Sequence, residues 1–209
     1  AVIRLYDYPH SGNCYKVRLL AAILGVELEL IPVDFFPGRA HREPEFLRIN
    51  PLGQIPVLED ESLRLRDAQA ILAYLAAKYD PSGAWYPRDA ATLGKVSMWL
   101  AFADRITATA SAARLHDAMH YDFDIERCRA DAHAAFRILD EHLWFAEVAG
   151  AQWIVTNDHP TIADIACFPY VMLSEEGGIA REDYPAIRRW TDRVKGIKGF
   201  ITMPGIFPL

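Results

Sequence analysis

The order in which hydrophobic periods follow one another most limits the folds open to this chain. VIRLY alternates, CYKVRLLAAILG then sets Val17, Leu20, Ala21 and Leu24 at helical spacing and closes on Gly25, and VELELIPVDF alternates again. Alternation reads as strand and a three-to-four spacing as helix, with glycine a favoured residue just past a helix end. The chain therefore begins with a βαβ unit.

The Gly, Pro and charged residues of 37–45 read as a loop, with a short helix around Pro44–Ile49. QIPVLEDESLRLRD reads as two short strands joined at Glu59-Asp60-Glu61, and AQAILAYLAAKY as a strong helix whose first turn is Asp67–Gln69. A βαβ unit followed by an antiparallel hairpin and a helix predicts an α/β thioredoxin-like domain over 1–79. DPSGAWYP breaks the helical pattern and predicts a linker at 80–87. Beyond it, helical periodicity fills TLGKVSMWLAFADRITATASAARL, IERCRADAHAAFRILDEHLWFAEV, TIADIACFPYVMLS and AIRRWTDRVKGI, an all-helical C-terminal domain over 88–209. Thr161 with Asp164 three residues on matches a helix-start box with Asp in place of Glu.

Several function classes are disfavoured by composition. A net charge of -6 with scattered Lys and Arg gives no basic stripe for nucleic acid. No apolar run approaches the roughly 20 residues that span a bilayer, and the first residues lack the regions of a signal peptide, so no membrane partner and a cytoplasmic location are expected. Three widely spaced cysteines, Cys14, Cys128 and Cys167, argue against a disulfide framework.

SGNCYKVRLLAAILG, NPLGQIPVL, RDAQAILAYLA and TIADIA, in this order and with this layout, resemble the strand-to-helix turn, the proline loop, the ligand-capping helix and the helical capping box of the soluble bacterial-type glutathione S-transferases. The resemblance covers the whole chain. It implies a glutathione transferase that activates the glutathione thiol for attack on a small hydrophobic electrophile, as in detoxification. Glutathione is then a co-substrate, no metal is used, and a homodimer is expected, with exposed apolar residues around Phe46 and along 89–115 covered by the second copy.

On this reading Ser11, at the mouth of a strand-helix turn, and Asn13 two residues on are the candidate catalytic groups. A hydroxyl and free helix N–H groups both favour thiolate over thiol. Ser11 also suits a plain helix cap. Cys14 falls one step into the helix and is expected to be a buried apolar residue. Gln54, Ile55 and Pro56, with Ile55-Pro56 expected cis, are the candidate peptide-binding turn. Asp67, Ala68 and Gln69 are placed at the γ-glutamyl end on a helix N-terminus. The family shows an acid followed by Ser or Thr, so Ala68 is a departure that predicts weaker glutathione binding. Arg39, His41 or Arg42 is expected to meet the glycine carboxylate, and Trp99, Phe102 and Arg105 to line the electrophile pocket. His116 and His120, four apart, have metal-ligand spacing but no third ligand, and are expected at the cleft edge. Two other functions remain open: glutathione-dependent disulfide reduction, and a non-catalytic binding or assembly module.

Overall fold

The computed structural model describes residues 2–209. Strand β1 (Ile3–Asp7) leads into helix α1 (Gly12–Leu24), which returns as β2 (Leu28–Pro32). Gly25 ends α1 at φ 69°, the left-handed conformation that glycine adopts without a Cβ penalty. A 3-10 turn (Ala40–Arg42) and helix α2 (Pro44–Leu47) precede the hairpin β3 (Val57–Asp60) and β4 (Leu63–Arg66). The hairpin turn falls at Glu61, where φ is 55°, one residue later than the sequence suggests.

The sheet order is β2-β1-β3-β4, with β2 parallel to β1 and the hairpin antiparallel. Leu5 lies between Leu30 and Leu58 in register. Helices α1 and α3 (Ala68–Tyr79) pack together, burying Leu19, Leu20, Ile71, Leu72 and Leu75 completely. A smaller cluster of Cys14, Val33, Phe46, Ile55 and Val57 fills in beside them. This is the thioredoxin-like domain. Phe46 is 6% exposed, so it is part of this cluster and not the exposed apolar residue expected from the sequence.

The C-terminal half is all helical: α4 (Ala90–Ile106), α5 (Ala112–Met119), α6 (Ile125–Val148), α7 (Ile162–Met172) and α8 (Pro185–Lys195). Between α4 and α5 the single helix expected from the sequence is interrupted by a π-helical turn at Thr107–Ser111. There Thr107 and Thr109 hydroxyls donate to the Ala103 and Arg105 carbonyls at 3.0 and 2.9 Å, so side chains draw on the acceptors that a regular helix uses.

Helix α7 is buried from Ile162 to Val171 and packs against α1, α3 and α4, which makes it the spine that both halves share. Its start is the helix-start box read from the sequence. The Ala163 N–H donates to Thr161 Oγ1 at 3.2 Å and the Thr161 N–H to Asp164 Oδ2 at 2.9 Å. The other Asp164 oxygen accepts from the Ile154 N–H at 3.1 Å and from Trp190 Nε1 at 2.9 Å. A carboxylate at zero exposure is tolerable because its acceptor capacity is filled.

Candidate active site

Between the two halves lies a cleft of about 390 Å³. Its α/β wall is made of three chain turns. In the first, Ser11 caps α1, accepting from the Cys14 N–H at 3.1 Å while its own N–H donates to the Tyr8 carbonyl at 2.9 Å. Because Oγ acts here as acceptor, the hydroxyl proton is left for a ligand at the positive end of α1. Asn13 lines the same spot. Its N–H donates to Tyr170 Oη at 3.1 Å, and its buried Oδ1 has no partner among the described residues. Gly12 between them admits Tyr170 so closely that a Cβ there would stand 2.6 Å from the ring.

The second turn brings Gln54, Ile55 and Pro56 to the cleft, with the Ile55-Pro56 peptide cis. In the third, Asp67 caps α3, accepting from the Gln69 and Ala70 N–H groups at 2.8 and 3.2 Å. It does so at φ 76°, a region that costs a non-glycine residue about 1–3 kcal/mol and clusters at functional sites. Ala68 lies beside it, buried and without a polar side chain.

The helical wall carries Asp104, Thr107, Ala108, Ser111 and Leu115, the inward stripe of α4, the π turn and α5. Behind Asp104 runs a directional chain. Lys16, wholly buried, donates to Gln69 Oε1 at 3.4 Å, and Gln69 Nε2 donates to Asp104 Oδ1. An ammonium only donates and a carboxylate only accepts, so the amide between them has one orientation. Burial pulls the Lys16 ammonium down to about 8, opposed by the Asp104 and Asp67 carboxylates. Burial and the Asp67 charge push the Asp104 carboxyl up.

The model of the glutathione S-transferase N-terminal domain matches residues 1–77, and that of the C-terminal domain residues 122–193. Glutathione S-transferase D7 of Anopheles gambiae is 32% identical over 196 residues, covering 91% of this chain and 85% of its own. The chain belongs to the glutathione S-transferase family. A maleylacetoacetate isomerase of Pseudomonas aeruginosa is 29% identical over 203 residues, covering 91% of this chain and 90% of its own. The crystal structure of a glutathione S-transferase from Pseudomonas fluorescens superposes with a TM-score of 0.86 at 27% identity, covering 97% and 99% of the two chains.

In this transferase Cys14 is at zero exposure, donates to the Tyr6 carbonyl at 3.8 Å and has its thiol pushed up to about 12 by burial, so it stays protonated. Ser11, Asn13, Gln54, Ile55, Pro56, Asp67, Ala68, His41 and Arg42 all line the transferase cleft. His41 stacks on Phe35 at 4.0 Å, and burial together with Arg42 and Arg39 pushes its imidazole down, leaving it neutral at pH 7.

Four expected residues do not line the cleft. Trp99 is 6% exposed and packs on Phe102 and His142, in the core, and Phe102 goes with it. Arg105 is exposed one step off the stripe that begins at Asp104, and Arg39 is exposed with its guanidinium 6.0 Å from the Tyr121 ring. His116 and His120 do not share a helical face: His120 ends α5 at φ 58°, and His116 turns to Asp117 at 2.8 Å. Sequence reasoning missed Tyr8, Phe35, Asp104, Ser111, Arg114, Tyr121 and Tyr170. The only signal for the α4 members was the 104, 107, 108, 111 spacing of polar and small residues.

Proposed function

We propose that this transferase binds glutathione along its α/β wall with the sulfur at Ser11. The observation that carries the proposal is the Ser11 cap. A hydroxyl held as acceptor by the Cys14 N–H presents its proton outward at a helix N-terminus, where negative charge is favoured. Lowering a thiol from ~8.5 by about two units takes roughly 2.7 kcal/mol and makes thiolate the main species at neutral pH. Asn13 is the second donor to the sulfur when its amide is turned, since Oδ1 has no partner that fixes its orientation. Gln54, Ile55 and Pro56 flank the peptide. Asp67, with the Ala68 N–H, takes the γ-glutamyl end, and His41 with Arg42 lies toward the glycine end.

The thiolate then attacks an electrophile held against the helical wall. No protein thiol takes part, because Cys14 is buried and protonated. We also place a second copy against α4 and β4, where Met98 and Leu63 are 58% and 38% exposed, and the protein in a reducing cytoplasm, in keeping with its three free cysteines. Among the described residues no helix is long and apolar enough to cross a membrane.

Thiolate absorbance of bound glutathione, followed from pH 5 to 9, tests the sulfur site. The expected midpoint lies well below that of free glutathione in the wild type and rises in Ser11→Ala. A wild-type midpoint equal to that of free glutathione would refute the proposal.

A further inference from the structure

Arg114 on α5 lines the cleft and is only 7% exposed. Its Nε donates to Glu176, its Nη1 donates to the His10 carbonyl at 2.8 Å, and its Nη2 has no partner among the described residues. It lies beside two cleft phenols, Tyr8 and Tyr170, both of which feel its charge. The Glu176 carboxylate that balances it is 41% exposed.

A buried guanidinium with an unused N–H penalises any occupant that displaces water and offers no acceptor. A carboxylate supplies that acceptor with charge assistance. We infer that the electrophile half of the cleft takes an electrophile bearing a carboxylate, which Arg114 Nη2 binds from the helical wall. This rests on the transferase reading of the same cleft and narrows the small hydrophobic electrophile expected from the sequence to an anionic one.

The probe pair is 4-chloro-3-nitrobenzoate and its methyl ester. With either, the glutathione sulfur bonds to the ring carbon bearing chlorine and chloride leaves with the C–Cl electron pair. The thiol proton goes to solvent, and nothing is oxidised or reduced. The carboxylate neither leaves nor is attacked and activates the ring less than the ester does, so a preference for the acid reports its binding.

Rates are measured on wild type, Arg114→Met, Arg114→Lys and Glu176→Gln, with melting midpoints alongside. Arg114→Met should lower the acid-to-ester ratio of kcat/KM about 10- to 100-fold, the worth of one hydrogen bond to a charged group. Arg114→Lys should fall between them for the acid. Glu176→Gln, which removes only the neutralising partner, should keep the wild-type preference for the acid. Acid and ester losing rate equally in the Arg114 and Glu176 variants would overturn the inference and reduce Arg114 to a clip between the two domains. If Arg114→Met does not fold, an equal loss for both substrates in Arg114→Lys overturns it as well. Turnover of the ester without any dependence of the acid on Arg114 defeats this inference alone. Glutathione-dependent chloride release from neither substrate in the wild type defeats the transferase reading and this inference together.

Discussion

On the α/β side of the cleft the groups that face a ligand are held by chain geometry, since Ser11 and Asp67 cap helices and Ile55-Pro56 is a turn. On the helical side Asp104, Thr107, Ser111 and Leu115 face it because α4, the π turn and α5 bring every third or fourth residue round. Caps and turns tolerate few residue types, whereas a helical stripe accepts many. One wall is therefore suited to a constant partner and the other to a partner that varies. The difference also divides the expected effects of mutation. Changes in the first wall should act on the sulfur and the peptide, and changes in the second on stability and electrophile choice.

The largest effect is expected at Asp164, which anchors the helical wall through α7. Asp164→Ala leaves the Thr161, Ile154 and Trp190 N–H donors without an acceptor, for a loss of about 3–5 kcal/mol in urea unfolding. A loss below about 1 kcal/mol would mean that water fills the place of the carboxylate. Next comes Ser11→Ala. It should lower kcat about a hundredfold, as removal of one preorganised donor does, and move KM for glutathione little. Unchanged kcat with an unchanged thiol midpoint would hand the role to Asn13.

Gly12→Ala probes the seam between the walls. The new Cβ meets the Tyr170 ring at 2.6 Å, and relieving that contact should cost about 1–3 kcal/mol and reduce turnover although Gly12 offers no chemistry. Wild-type melting and turnover would show that the seam is not tight. Lys16 supplies a smaller, pH-dependent effect. Burial holds its folded pKa at about 8, below the ~10.4 of an unfolded lysine. Between those values the unfolded chain binds the extra proton, so this group makes stability rise with pH, by at most about 1.4 kcal/mol per pH unit. Below pH 8 both states are charged and the burial penalty is fully felt. Lys16→Met should remove that rise from the difference between the two stability curves; parallel curves from pH 7.5 to 10 would contradict the assigned shift. The smallest effect is Ala68→Ser. It should tighten glutathione several-fold, about 1 kcal/mol, with kcat unchanged, because the added bond is equal in ground and transition states. Equal calorimetric affinities would mean that the γ-glutamyl end lies elsewhere.

The same division explains what could be read in the sequence. Gly25, Asp67 and the Thr161 and Asp164 pair announce their places because caps depend on local chain geometry, and each stands in the structure at the helix end expected of it. Ser11 is legible for the same reason. Trp99 misled because a large aromatic at helical spacing suits a core as well as a pocket, and only the packing of α4 against α7 decides which. Arg114 and Tyr170 gave no local sign, since their partners, His10 and Asn13, lie 104 and 157 residues away. The π turn escaped because its residues, Thr-Ala-Thr-Ala-Ser, fit an ordinary helix as well.

The Tyr170 contact also sets an order of events in the cell. The turn at Ser11 to Asn13 belongs to the first residues made, yet the phenol that accepts the Asn13 N–H is carried by a helix near the other end of the chain. A ribosome delivers the α/β sheet early, and N-terminal domains generally fold first during synthesis. The Ser11–Asn13 turn nonetheless stays unfinished until α7 has left the exit tunnel and docked. A nascent transferase that stalls before then carries the Ser11 cap with neither Tyr170 above it nor Arg114 beside it.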